Sequence, residues 1–267
     1  MKRVQHSIGR RAIIAASIAA ALVLATARQS QAGTIITFTF TGDATSQISS
    51  SKTYLTKADP GLDATSATIN GVAFEAGALT TSTLYTATNM TLALTSGAGV
   101  LALNAGNAND TPSGGGGSAT LLTDMVNRSG NAGTAGTVLT LTFTGLTLGT
   151  QYSARIYYRQ WSSADPRNNV LFFDEDGAGA LGTSSGTVSE DAGTSDGVAN
   201  VIGYNFTAQN NGSGGALPLV VTVTQAVDNN SWHFYGMTNE VVPEPSSLAL
   251  LGLTTSGFMI WRRRRRA

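Results

Sequence analysis

Hydrophobic and polar residues alternate one by one over several short stretches of this chain. Ile36, Phe38 and Phe40 alternate with Thr37, Thr39 and Thr41. Over Val138 to Phe143, Leu139, Leu141 and Phe143 alternate with Thr140 and Thr142, and Thr144 follows. A period of two is that of a strand with one buried face. From Tyr152 to Trp161 the same period puts Tyr152, Ala154, Ile156 and Tyr158 on one face. Ser153, Arg155, Tyr157, Arg159 and Trp161 fall on the other. Further short strands are predicted at Leu84 to Thr88, Met90 to Thr95, Val100 to Asn104, Asn169 to Asp174, Val198 to Thr207, Leu217 to Gln225 and Ser231 to Thr238. Thr65 to Ile69 and Val72 to Glu75 flank Asn70-Gly71, the signature of a hairpin closed by a type I′ turn. Leu121 to Val126 fits either a short helical turn or a strand.

Turn signals punctuate these stretches about every ten residues. Glu175-Asp176-Gly177 and Asn210 to Gly215 are turns, and Asn104 to Ser118, with Gly114 to Gly117 inside it, reads as a long flexible loop within one domain. Ten to twelve short strands at this spacing predict an all-β fold, a jelly-roll-like β-sandwich, over residues 33–241.

Both ends break the pattern. Ala12 to Ala27 is an apolar run preceded by Lys2, Arg3, Arg10 and Arg11, and Ser30-Gln31-Ala32 supplies small residues at the −3 and −1 positions. Residues 1–32 therefore read as a signal peptide cut between Ala32 and Gly33, with Arg10-Arg11 leaving the export route open. At the other end, Leu248 to Trp261 is uncharged and mostly apolar, and Arg262, Arg263, Arg264, Arg265 and Arg266 follow it. Ser246 to Trp261 as a helix would be about 24 Å long at ~1.5 Å per residue. A hydrocarbon core is about 30 Å thick, so this is a short transmembrane helix stopped by its arginine cluster.

Composition sharpens the picture of the middle. The whole chain is formally neutral, but residues 33–241 carry six cations against fifteen anions. An acidic domain of this kind does not suit nucleic acid, which asks for clustered Lys and Arg. There is no cysteine, so neither disulfides nor thiolate metal sites contribute, and an apolar core must hold the fold.

The ordered features of the tail carry a resemblance. Pro243-Glu244-Pro245, the apolar helix and the terminal arginines resemble the PEP-CTERM sorting signal of Gram-negative bacteria. The resemblance implies export, transient anchoring in the inner membrane, and processing by an exosortase-like membrane protease. It implies a final place on the cell surface or in the extracellular matrix, in association with exopolysaccharide. Leu146-Thr147, Gly149-Thr150, Tyr152, the aromatic strand, and Phe173 with Asp174-Glu175-Asp176-Gly177 are similar to the jelly-roll domain of PEP-CTERM proteins. Leu148 stands where that pattern usually has proline.

Candidate chemistry inside the domain is sparse. His233 is the one histidine of residues 33–241, and no nucleophile elbow or His-Glu-x-x-His pattern accompanies it. We therefore expect no catalytic residues and a non-enzymatic binding or structural module. A secreted glycan-active enzyme is the alternative, as is a purely structural surface component without a ligand. Tyr157, Arg159 and Trp161 form the candidate glycan-binding platform, since stacking on a sugar needs aromatic faces beside polar donors. Asp174 and Asp176 set carboxylates at alternate turn positions, a candidate for a structural calcium, with an acidic hairpin as the plainer reading.

Overall fold

A computed structural model describes residues 33–60, 66–105, 115–129, 135–159, 167–177, 182–190, 198–226 and 232–243. The chain divides after Ala32, and the unit Gly33–Ala267 holds every described residue. The described strands number eighteen. In chain order they begin with β1 (Thr34–Phe40), β2 (Thr53–Asp59), β3 (Thr68–Ile69), β4 (Val72–Ala73), β5 (Glu75–Ala76) and β6 (Ala78–Thr81). Then come β7 (Leu84–Ala87), β8 (Met90–Ser96), β9 (Val100–Ala105), β10 (Asp124–Ser129), β11 (Val138–Phe143) and β12 (Gln151–Arg159). The last six are β13 (Asn168–Asp174), β14 (Thr183–Ser189), β15 (Ala199–Thr207), β16 (Leu219–Gln225), β17 (His233–Phe234) and β18 (Gly236–Val241). One short helix, α1 (Gly116–Leu121), and a 3-10 turn at Asp43–Thr45 complete the described elements.

The fold is an all-β sandwich. Its first large sheet runs β1-β15-β12-β18-β2-β5 and its second β14-β13-β16-β11-β8-β7-β6. A small sheet, β17-β10-β9, and the hairpin β3-β4 stand beside them. From β11 onward the chain alternates between the large sheets: β11 in the second, β12 in the first, β13 and β14 in the second, β15 in the first, β16 in the second and β18 in the first. That alternation is the jelly-roll-like element of the topology. The strands on either side of residues 106–114 share sheets, since β9 pairs with β10 and β8 with β11.

The second sheet follows its period-two pattern closely. Leu139, Leu141 and Phe143 of β11, Leu171 and Phe173 of β13, and Leu219, Val221 and Val223 of β16 all point into the core. Phe173 stacks on Tyr204 of the first sheet with ring centroids 4.8 Å apart, so the inner faces meet through aromatic contact.

The first sheet is covered on both faces. In β12 every residue from Tyr152 to Arg159 is buried. The inner face carries Tyr152, which stacks on Phe206, and Tyr158, which tilts against Trp232 at 4.7 Å. Outside, α1 places Leu121 directly over Gly236 of β18, where a Cβ would come within 2.9 Å of the leucine methyls. Asp43 ties this cover together. Its carboxylate accepts the amides of Gly117 (3.2 Å) and Ser118 (2.7 Å) and the Ser118 hydroxyl, so a distant turn caps the helix start. The hairpin β3-β4 joins it, with Asn70 Nδ2 donating to the carbonyls of Asp43 (2.7 Å) and Ile48 (2.9 Å).

Several expectations change here. The strand count rises from ten to twelve to eighteen, because β2, β6, β10 and β14 join the set, Val72 to Glu75 divides between β4 and β5, and Ser231 to Thr238 divides between β17 and β18. Leu121 to Val126 holds both readings at once: α1 ends at Leu121 and β10 begins at Asp124. The Gly-rich loop gives up Gly116–Ser118 to the helix. The single strand expected over Ser231 to Thr238 is two, broken at Tyr235, with β17 in the small sheet and β18 in the first large sheet. Asn70 (φ 49°) and Gly71 (φ 79°) carry the two positive φ values that a type I′ turn requires. The signal peptide, the C-terminal helix, Glu244, Pro245 and Arg262 to Arg266 lie outside the described residues. No helix among the described residues is long and apolar enough to cross a membrane.

Candidate functional site

Two residues of the candidate platform, Tyr157 and Arg159, are buried rather than exposed. Tyr157 is fully buried, with its ring edge-on to Phe40 at 5.9 Å and its hydroxyl 3.5 Å from Thr238 Oγ1. Burial pushes its phenol up, with Arg155 pulling the other way. Arg159 is also buried, its guanidinium 5.2 Å from the Tyr235 ring. Period two correctly set these side chains on one face, but that face is covered, and stacking on a sugar needs it open. Trp161 lies outside the described residues.

At the turn after β13, Asp174 Oδ1 accepts the amides of Asp176 (3.2 Å) and Gly177 (2.8 Å). The carboxylate thus forms an Asx turn, with Gly177 at φ 63°. Among the described residues no group of three or more His, Asp or Glu side chains is placed to hold a metal. His233 is buried, with Nδ1 2.7 Å from Glu190 Oε1 and its backbone N–H donating to Glu190 Oε2 at 3.0 Å. Trp232 and Phe234, on either side of His233, are buried in the core.

A groove of about 390 Å³ opens on the outer face of the first sheet. Its walls come from four neighbouring strands and the chain just beyond the last of them. Ile36 and Phe38 belong to β1, Asn205 to β15, Ser153 and Arg155 to β12, Glu240 to β18, and Val242 follows β18. Gln47 closes one side. The register explains the grouping: Arg155 lies opposite Gly203, Ser153 opposite both Asn205 and Glu240, and Gly203 opposite Ile36.

The polar floor is organised around Arg155. Its Nη2 pairs with Glu240 Oε1 at 2.7 Å, and both side chains are only 6% exposed. Lys52 Nζ meets Glu240 Oε2 at 3.0 Å and donates to the Gln47 carbonyl at 2.8 Å. Two cations thus face one carboxylate, leaving an excess positive charge inside an acidic domain. Gln47 holds a left-handed backbone (φ 60°) that turns its carbonyl to Lys52, an arrangement costing roughly 1–3 kcal/mol for a non-glycine residue. The Arg155 guanidinium also lies 5.6 Å from the Phe38 ring. Beside the groove, burial pushes the Tyr54 phenol up to about 12, and Glu240 adds to the rise.

Two atoms of this floor have no protein partner: Ser153 Oγ and Arg155 Nε, both buried. Leaving such a group unsatisfied costs about 1–3 kcal/mol. The groove therefore offers one N–H donor and one hydroxyl, flanked by rim amides of Gln47 and Asn205 and by apolar walls. The sequence reading missed it. The available signal was a pair of polar side chains, Ser153 and Arg155, sharing a strand face in a domain with six cations.

Comparison with known proteins bears on the chain end rather than on the groove. Residues 241–265 match the PEP-CTERM protein-sorting motif. No curated protein matches the chain. Among solved structures, the ANX2 ectodomain from Arabidopsis thaliana is similar with a TM-score of 0.48 and 12% identity, over 72% of this chain and 50% of that one. The chain thus spans half the length of that ectodomain. A Stig cyclase, Fisc, from Fischerella sp. TAU is similar with a TM-score of 0.32 and 8% identity, over 58% of this chain and 75% of that one. The chain is therefore that of an exported protein whose β-sandwich leads into a PEP-CTERM sorting motif, the signal of an exosortase-type membrane enzyme.

Proposed function

We propose that the exported domain is a non-enzymatic binding module of the cell surface or extracellular matrix, and that the Arg155 groove holds a sugar ring of an exopolysaccharide. The observation that carries this reading is the pairing of Ser153 Oγ and Arg155 Nε, buried and without protein partners, inside a groove of about 390 Å³. That volume lies at the lower end of the ~300–1,000 Å³ typical of small-ligand sites. A pyranose matches the lining. One hydroxyl accepts from Arg155 Nε and another exchanges a hydrogen bond with Ser153 Oγ. The C–H face of the ring meets Ile36, Phe38 and Val242. The burial of His233 behind Glu190 favours a structural role for the one histidine, in line with binding rather than turnover.

Ligand-observed saturation-transfer NMR on the exported protein tests this reading. The probes are methyl hexopyranosides and the corresponding hexuronates, which separate a neutral ring from an acidic one. Transfer from at least one class is expected, with loss in the Ser153→Ala, Asn205→Ala double variant. Silence from every probe would leave the purely structural reading. Release of reducing ends from host exopolysaccharide would replace both with the enzyme.

A further inference from the structure

Gly33, the residue after the signal cut read from the sequence, sits against a half-buried carboxylate. Its backbone N–H donates to Glu175 Oε1 at 3.1 Å. Glu175 belongs to the turn after β13, in the second sheet, whereas Gly33 immediately precedes β1, an edge strand of the first. The contact therefore spans the two sheets of the sandwich. A Cβ at position 33 would overlap the Tyr204 ring, so a larger residue there would have to displace that ring. Glu175 Oε2 is buried and receives no well-placed donor. Asp174 and Asp176 bring negative charge from the same turn, and Tyr204, held by Thr183 Oγ1 at 3.0 Å, is a neutral hydrogen-bond partner of the Glu175 carboxylate on the other side. A neutral amide supplies no counter-charge to this carboxylate.

We propose that signal cleavage after Ala32 completes the fold electrostatically: the α-ammonium created on Gly33 forms an ion pair with Glu175 and pins β1 to the second sheet. The step is a hydrolysis. Water adds across the Ala32–Gly33 peptide bond, the Ala32 carbonyl becomes a carboxylate, and the Gly33 nitrogen takes up protons. The α-amino group has an ordinary pKa of about 8, so it is cationic at neutral pH. One N–H becomes three, with a full positive charge at the atom already 3.1 Å from Oε1. The uncut chain carries the cost of the missing charge, since burial, chiefly, pushes the Glu175 carboxyl up against the neutral hydrogen bonds of Tyr204 and the Gly33 amide, and Asp176 and Asp174 add to the rise. In the cut chain the ammonium acts in the opposite direction. Its stabilisation is then present between the titration of the Glu175 carboxyl and that of the ammonium. It is lost as pH falls through the first or rises through the second.

This inference rests on the N-terminal cut and is independent of what the groove binds. Intact mass of the exported protein should place its first residue at Gly33. Selective acetylation of the α-amine near pH 6.5 restores a neutral amide there, since an α-amine is far less protonated at that pH than a lysine side chain. Acetylation should lower the melting midpoint by about 2–4 °C near neutral pH, and the difference should close toward pH 3. The isosteric Glu175→Gln protein should show no change on acetylation. An equal fall in Glu175→Gln, no fall in the natural protein, or a mature chain beginning elsewhere than Gly33 overturns the inference.

Discussion

Ser153 and Arg155 lie on a strand face that is buried and yet borders a groove. They alternate with Ala154 and Ile156, which fill the core, and their own face meets a loop, an ion pair and a groove instead of bulk water. Removing the Ser153 hydroxyl deletes about one hydrogen bond to the ligand, worth ~1 kcal/mol. Ser153→Ala should therefore weaken sugar binding about fivefold while leaving the melting midpoint nearly unchanged. An unchanged Kd with a lowered midpoint would make Ser153 a packing residue only. The division of β12 into two faces was legible from period two. Coverage of the second face was not, because it comes from segments far away in sequence. Tyr157 lies under Phe40, and Arg155 between Phe38 and Glu240. The residues of the groove come from positions 36 to 242, and no local pattern brings them together.

At the scale of elements, the strands with clean alternation were readable and those without it were not. β11 repeats Leu-Thr and was placed with its observed bounds; β14 is Thr-Ser-Ser-Gly-Thr-Val-Ser, which lacks an apolar face and gains its place as an edge through pairing with β13. The helix α1 had an equally weak signal. Four glycines precede or open it, which opposes helix formation by up to about 1 kcal/mol each. Asp43, a residue more than seventy positions earlier, supplies the missing cap. Asp43→Ala should lower unfolding free energy by about 1–2 kcal/mol, read as a lower urea midpoint at unchanged slope. A midpoint equal to that of the natural protein would show that packing alone holds α1.

β18 sets a second element-level constraint. It is hydrogen-bonded between β12 and β2, and its last residue, Val241, is the first residue of the sorting-motif match. Val242 N–H still donates to the Gln151 carbonyl at 2.9 Å, and Pro243 is exposed. The fold therefore runs directly into the Pro-Glu-Pro segment. A chain ending at Tyr235 should be protease-sensitive, since it loses a central strand and the Glu240 partner of Arg155. One ending at Val242 should resist digestion as the longer chain does. Equal resistance of both would contradict the role given to β18.

On the scale of the whole molecule, the sandwich, the motif and the groove fit one sequence of events. Without cysteine, the domain relies on the apolar core shared by its two large sheets. Its end lies at the motif that an exosortase-type enzyme reads, and its outer face offers the Arg155 groove next to that same end. The most direct test of this account is the intact mass of the surface form isolated from its native host. The account predicts a chain that begins at Gly33, keeps Val242, and lacks Leu248 to Ala267. A surface form still carrying Arg262 to Arg266 would contradict it.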